Sequence, residues 1–234
     1  MKFTGIIYKI TPYKEKDAII NIIKEDNISS LLVNRAFAQP SKHQDALHPI
    51  SLCEFTTNEK NTKSLKDVKL LTNISKTHNS YFNNSLFLAI MELINKLIPE
   101  DELYLLFNPL KTILELLENG FDAKSLFILF LSKVLTIYGQ SMNVKTCTLC
   151  GCKNDIIGAS INDGGFICKS CFVNNNHTKL EKRELDILKF AFLATPKDYE
   201  RFILTDKEIN WCLSFIKNYF IRITNIEIKS FKLI

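Results

Sequence analysis

Two CxxC pairs, Cys147-Thr148-Leu149-Cys150 and Cys168-Lys169-Ser170-Cys171, stand seventeen residues apart, and nothing else in the chain limits its fold so sharply. Each pair forms a knuckle that aims two thiolates at one point. Two knuckles on a hairpin complete a tetrahedral sulfur cage, the geometry zinc prefers, at a separation usual for a zinc ribbon. Four thiolates fill the coordination shell, so such a site holds structure and leaves no position open for catalysis. The intervening sequence fits a hairpin: Ile156 to Ile161 reads as a strand, and Asn162-Asp163-Gly164-Gly165 supplies residues that tolerate positive φ. Phe166-Ile167 then leads into the second knuckle. A redox CxxC, a disulfide pair and reduced core cysteines are the competing readings. Two pairs at ribbon spacing favour one structural zinc on Cys147, Cys150, Cys168 and Cys171. Cys152 is read as a spare thiol, and His177 as a loop histidine.

The chain has 234 residues, 46% of them hydrophobic, enough for one large domain or two to three small ones. Met1 to Gly5 opens no long apolar core, so no secretory signal is expected. The longest apolar run, Leu126 to Leu131, falls far short of a bilayer span, and no membrane association is expected. Seven cysteines without a secretion signal point to a reducing cytoplasm. The net charge of +5 permits a nucleic-acid partner without requiring one.

Residues 1–75 read as β structure: Phe3 to Ile10, Ala18 to Ile23, Ile28 to Val33, Pro49 to Phe55 and Val68 to Leu71, with a long polar connection over 34–48. Five short strands with one long loop fit a small closed barrel of the oligonucleotide-binding (OB) kind. The same pattern also suits an SH3-like barrel. From residue 79 the period turns helical. Leu103, Leu106, Phe107, Leu110, Ile113, Leu114 and Leu117 make one continuous stripe between Pro99 and Asn119-Gly120. A helix over Ala123 to Tyr138 follows, then the ribbon at 146–176, then two closing helices. The capping box Thr205 to Glu208 begins the last of them. The expected architecture is α+β: a five-stranded OB-fold barrel over 1–75, and a helical domain over 76–234 carrying the inserted four-cysteine zinc ribbon.

No catalytic constellation occurs. There is no phosphate loop, no nucleophile elbow, no HExxH and no zinc-deaminase signature, so a binding protein without a small-molecule substrate is expected. The acidic run Glu100-Asp101-Glu102 suits a helix N-terminus. The candidate surface lies on the barrel loops, where Lys14, Lys16, Arg35 and Lys42, with His43, accompany the rings of Tyr13 and Phe37. Cations that track phosphates beside rings that stack bases are what single-stranded nucleic acid requires. Glu15 and Asp17 dilute this charge.

Together these residues resemble the bacterial RecO family of DNA repair and recombination mediators, nearly end to end. Gly5-Ile6-Ile7-Tyr8 and Tyr13-Lys14-Glu15-Lys16-Asp17 resemble the family's opening strand and turn. Ser41-Lys42, Leu47-His48-Pro49 and Ser51-Leu52 resemble its basic loop and next strand, and Glu92 to Glu100 its central helices. The two cysteine knuckles with Gly151 and Gly164-Gly165-Phe166-Ile167 are the most specific stretch, and Lys229-Ser230-Phe231 resembles its closing motif. Asn27-Ile28 and Asn34 stand where the family often has glycine. Asparagine tolerates the left-handed backbone, so these turns are expected to survive.

The resemblance implies a DNA-binding protein of the cytoplasm, associated with the nucleoid. It implies binding to single- and double-stranded DNA and annealing of complementary strands. It implies partnership with RecR and the single-strand DNA-binding protein (SSB), and indirect service to RecA by helping it onto SSB-coated gaps. It also suggests a site for the acidic SSB tail on the last helix, where Trp211, Phe215 and Tyr219 recur every four residues beside Arg222. Two other readings remain open: a zinc-ribbon RNA-binding or transcription accessory factor, and a zinc-stabilised scaffold that binds only protein.

Overall fold

The computed structural model describes residues 1–38, 43, 45–58, 63–74 and 81–234, with backbone alone at 81–83. By its backbone contacts the chain forms two compact units, Met1–Phe121 and Asp122–Ile234.

In the first unit five antiparallel strands, β1 (Lys2–Tyr13), β2 (Asp17–Ile23), β3 (Ile28–Val33), β4 (Ser51–Thr57) and β5 (Leu65–Asn73), lie in the order β3-β2-β1-β4-β5. A parallel bridge between Leu32 and Ser64, with the Leu32 N–H donating to the Lys63 carbonyl at 2.8 Å, joins the two outer strands. That closure makes the sheet a barrel of OB connectivity and decides against the SH3-like alternative. Alternation along β2 and β3 sends Ala18, Ile20, Ile22, Leu31 and Val33 inward, where they meet Ile7, Cys53 and Phe55. The strands run further than the sequence signals suggest. β1 passes through Pro12, because beyond Ile7 it pairs only with β2 and the missing N–H costs no ladder bond toward β4. A register shift at Tyr8 marks a bulge. The Tyr8 hydroxyl donates to Glu100 Oε1 at 2.8 Å, and burial first, then this bond, pushes its pKa up to about 12. Glu100 thus fastens the barrel to the following helical segment, in addition to its place in a first turn.

Helix α1 (Tyr81–Leu97) is followed by a 3-10 helix, Glu100–Leu106, and by α2 (Phe107–Glu118). The apolar stripe from Leu103 to Leu117 is buried as expected, but it is not one α-helix. Pro109 has no N–H to give to the carbonyl of Leu105 and its ring crowds that carbonyl, so the α geometry starts only at Phe107. Gly120, at φ +83°, ends α2: its N–H meets the Leu117 carbonyl and the Phe121 N–H meets that of Leu116, the Schellman pattern.

In the second unit α3 (Ala123–Ile137) is capped by the Asp122 carboxylate, which accepts the Ser125 N–H at 2.7 Å. A hairpin of β6 (Ile156–Ser160) and β7 (Gly165–Cys168) carries the cysteines, and β8 (Thr178–Lys179) pairs with β6. Helices α4 (Lys182–Leu193) and α5 (Asp206–Thr224) close the fold. Their starts are tied together: Arg183 Nε donates to Glu208 Oε1 at 2.7 Å while Glu208 Oε2 accepts the Thr205 N–H at 2.8 Å. Arg183 above all, then the Thr205 N–H, holds the Glu208 carboxyl down at about 2. Among the described residues no helix is long and apolar enough to cross a membrane.

Candidate metal centre and nucleic-acid interface

The ribbon is built by local backbone rules. In the first knuckle the Gly151 N–H returns to the Cys147 carbonyl at 2.8 Å and the Cys147 N–H reaches that of Cys152 at 2.7 Å. Gly151 sits at φ +76°, which lets the chain turn under the sulfur atoms. In the second, the Cys171 N–H reaches the Cys168 carbonyl at 3.1 Å and the Lys169 N–H that of Asp155 at 2.8 Å. Gly164 supplies the positive φ of the hairpin turn, at +77°. Gly165 serves a different end: a Cβ there would meet the carbonyl oxygen of Asn143, its isolated bridge partner, at 2.6 Å.

These turns bring the Sγ atoms of Cys147, Cys150, Cys168 and Cys171 within 4.8 Å of one another, positioned to hold a metal ion. Cys150 and Cys168 are 3.6 Å apart at sulfur. A tetrahedron with metal–sulfur bonds of ~2.3 Å has sulfur–sulfur edges of ~3.8 Å, so the cage has the right size. Its electrostatics point the same way. Burial alone would raise the Cys147 thiol, but N–H groups of Cys168, Cys150 and Leu149 bring it down to about 6. Cys168 is likewise lowered against its burial, chiefly by the Cys152 thiol. Cys171 is pushed up to about 12, first by its bond to Cys150. Thiols this close cannot all ionise side by side, and a bound cation removes that conflict.

Cys152 stands beside the cage and outside its four ligands: its thiol donates to the Asn154 carbonyl at 3.4 Å and is raised to about 12, first by its bond to Cys168. His177 is also spoken for. Its Nδ1 accepts the Val173 N–H at 3.0 Å and its Nε2 lies 3.2 Å from Asp163 Oδ2. An acceptor Nδ1 leaves the proton on Nε2, so the imidazole pins the loop after the second knuckle to the hairpin turn.

On the barrel, Lys14 and Lys16 lie exposed in the turn between β1 and β2, and Arg35 lies exposed just after β3. The Arg35 N–H donates to Asp17 Oδ1 at 2.8 Å and the Phe37 N–H to the Lys16 carbonyl at 3.0 Å. Two loops distant in sequence are thereby laid side by side, with Tyr13 41% and Phe37 51% exposed. Asp17, counted in the sequence as a charge diluting the basic loops, is used to hold Arg35 in place. The left-handed residue is Arg35 itself, at φ +55°, and Lys14 at +54°; neither Asn34 nor Asn27 takes positive φ. Lys42, with Ser41, lies outside the described residues.

On α5, Phe215 and Tyr219 are buried, and Tyr219 donates its hydroxyl to the Gln140 carbonyl at 3.1 Å. Trp211 is half-buried against Phe215, with ring centroids 5.7 Å apart. Arg222 is exposed and its Nε donates to Asn162 Oδ1 at 2.9 Å. The three rings therefore do not share one open face. The sequence did not expose a further cluster, four lysines around a groove beside α4, because they come from separate elements.

Residues 78–228 match the family model "Recombination protein O C terminal". The chain is 28% identical over 190 residues to the DNA repair protein RecO of Lactobacillus acidophilus, covering 79% of this chain and 76% of that protein. It is 23% identical to that of Halalkalibacterium halodurans, covering 75% and 70%. The match to that of Syntrophomonas wolfei is 24% identical over 212 residues, 88% of this chain and 84% of the relative.

Proposed function

The chain belongs to the recombination protein O (RecO) family, and on that premise we propose that it is a non-enzymatic DNA-binding recombination mediator of the cytoplasm and nucleoid. It binds single- and double-stranded DNA, anneals complementary strands and, with RecR, helps load RecA onto SSB-coated gaps. The barrel of residues 1–75 is the nucleic-acid module and 76–234 its helical and ribbon partner. One structural zinc per chain sits on Cys147, Cys150, Cys168 and Cys171: an all-thiolate tetrahedral set suits that soft, closed-shell ion, and it stabilises the fold without chemistry.

The observation that carries this reading is the end of the barrel, where backbone bonds from Arg35 to Asp17 and from Phe37 to Lys16 lay the loop of Arg35 beside that of Lys14 and Lys16, with the rings of Tyr13 and Phe37 exposed. Annealing asks for charge neutralisation and strand juxtaposition and for no reacting group, in keeping with a chain whose sequence offers none. The test is the rate at which two complementary oligonucleotides pair with and without the protein, across a salt series. Acceleration that fades as salt rises is expected. No acceleration at low salt, with RNA bound more tightly than DNA, would instead favour the RNA-binding accessory factor.

The acidic SSB tail is proposed to dock on α5 through Trp211 and Arg222, with Phe215 backing the indole and Tyr219 held in the core beside Phe192. A labelled tail peptide should bind the Arg222→Ala protein several-fold more weakly than wild type. Equal affinity would remove this helix from the interface.

A further inference from the structure

A groove of about 190 Å³ runs between the ribbon and α4 within the second unit. Lys145 and Lys153 reach it from the ribbon, Lys182 and Lys189 from the helix, and Asp186 is the one carboxylate on its wall. All four lysines are exposed, and none of their ammonium groups makes an ion pair or a hydrogen bond among the described residues. This differs from Arg183 on the same helix, which is paired with Glu208 at 2.7 Å. Four unmatched cations around one opening repel one another, and a fold tolerates that arrangement most readily where a polyanion relieves it.

We propose that this groove is a second track for single-stranded DNA, gripping the sugar-phosphate backbone rather than the bases. Three observations select this occupant. Lys182 and Lys189 are seven residues apart, two turns, on one face of α4. At 1.5 Å per residue they stand ~10 Å apart, too far to share one phosphate and close enough to serve separate phosphates along one flexible strand. Second, the cationic set is all lysine. A point charge on a flexible stem follows phosphates at any sequence, whereas planar bidentate capture of a carboxylate calls for arginine. Third, Phe166 in the floor is only 4% exposed, so the groove offers no open ring for a base or for a peptide's hydrophobic anchor. It binds charge.

The inference rests on the nucleic-acid reading above, and its test keeps the two apart. Binding of a labelled oligothymidylate by the full chain is followed by anisotropy over a salt series. The proteins compared are wild type, Lys182→Ala/Lys189→Ala, and Lys182→Arg/Lys189→Arg. With two phosphates no longer neutralised, the slope of log K against log salt should flatten by ~1.4, and the arginine pair should restore it. Circular dichroism and metal content should match wild type throughout. Wild type that binds no DNA would sink the broader function. Wild type that binds, with the alanine pair unchanged in affinity and slope, would overturn the groove alone. So would an alanine pair that loses an acidic peptide while keeping its DNA slope.

Discussion

A Cys168→Ser/Cys171→Ser protein is expected to purify without stoichiometric zinc and with its second unit opened. The cage is the point at which the hairpin of β6 and β7 and both knuckle turns converge. Structural zinc in small thiolate sites is worth ~10–16 kcal/mol of apparent binding free energy, most of it coupled to local folding. A typical domain has only ~5–15 kcal/mol of net stability, so the loss is comparable with the whole. Metal analysis reads the first effect. Hydrogen exchange reads the second, as faster exchange at amides that are now bonded, such as Gly151, Cys171 and Phe166. Cys152→Ser should keep the metal, since that sulfur is not one of the four grouped around the site. Full zinc occupancy in the double mutant would overturn the ligand assignment.

Replacing Lys14, Lys16, Arg35 and Lys42 with alanine should weaken single-stranded DNA binding and flatten its salt dependence by up to ~2.8, at ~0.7 for each phosphate that goes unneutralised. Stability should hardly move, because none of the first three side chains is buried. At Arg35 the fold uses the backbone N–H, which alanine retains, so the loop stays on Asp17. Alanine at the left-handed φ of Lys14 and Arg35 is no more strained than the residues it replaces. An unchanged affinity and slope would move the main DNA interface away from the barrel.

Much of this molecule was legible in the sequence, for stateable reasons. Cysteine spacing points to a cage because two CxxC turns at ribbon separation can bring four thiols to one point. Short apolar runs bounded by turn residues marked all five barrel strands, and helical repeats marked buried faces of the helices. Boundaries were less visible where a single proline decides them: Pro12 is harmless on an unpaired side of β1, whereas Pro109 breaks a continuous stripe into a 3-10 and an α segment. The rings of α5 show the limit of period alone. A stripe names one buried face, but this helix also buries the neighbouring one, which takes Phe215 and Tyr219 out of reach. Lys145, Lys153, Lys182 and Lys189 form a cluster only after folding, and no spacing rule would have joined them.

The bridge between Leu32 and Ser64 has a consequence for how the chain is made. A sheet whose outer strands meet at a bridge offers a neighbouring chain less unpaired backbone to extend. All five strands, the bridge and the helices of that unit come from the first 121 residues. On the ribosome, where elongation proceeds at about 5–20 residues per second, that unit emerges on the order of 10 s before the chain is finished. That pairing can therefore form while Cys147, Cys150, Cys168 and Cys171 are still being synthesised, so it does not wait on a metal ion.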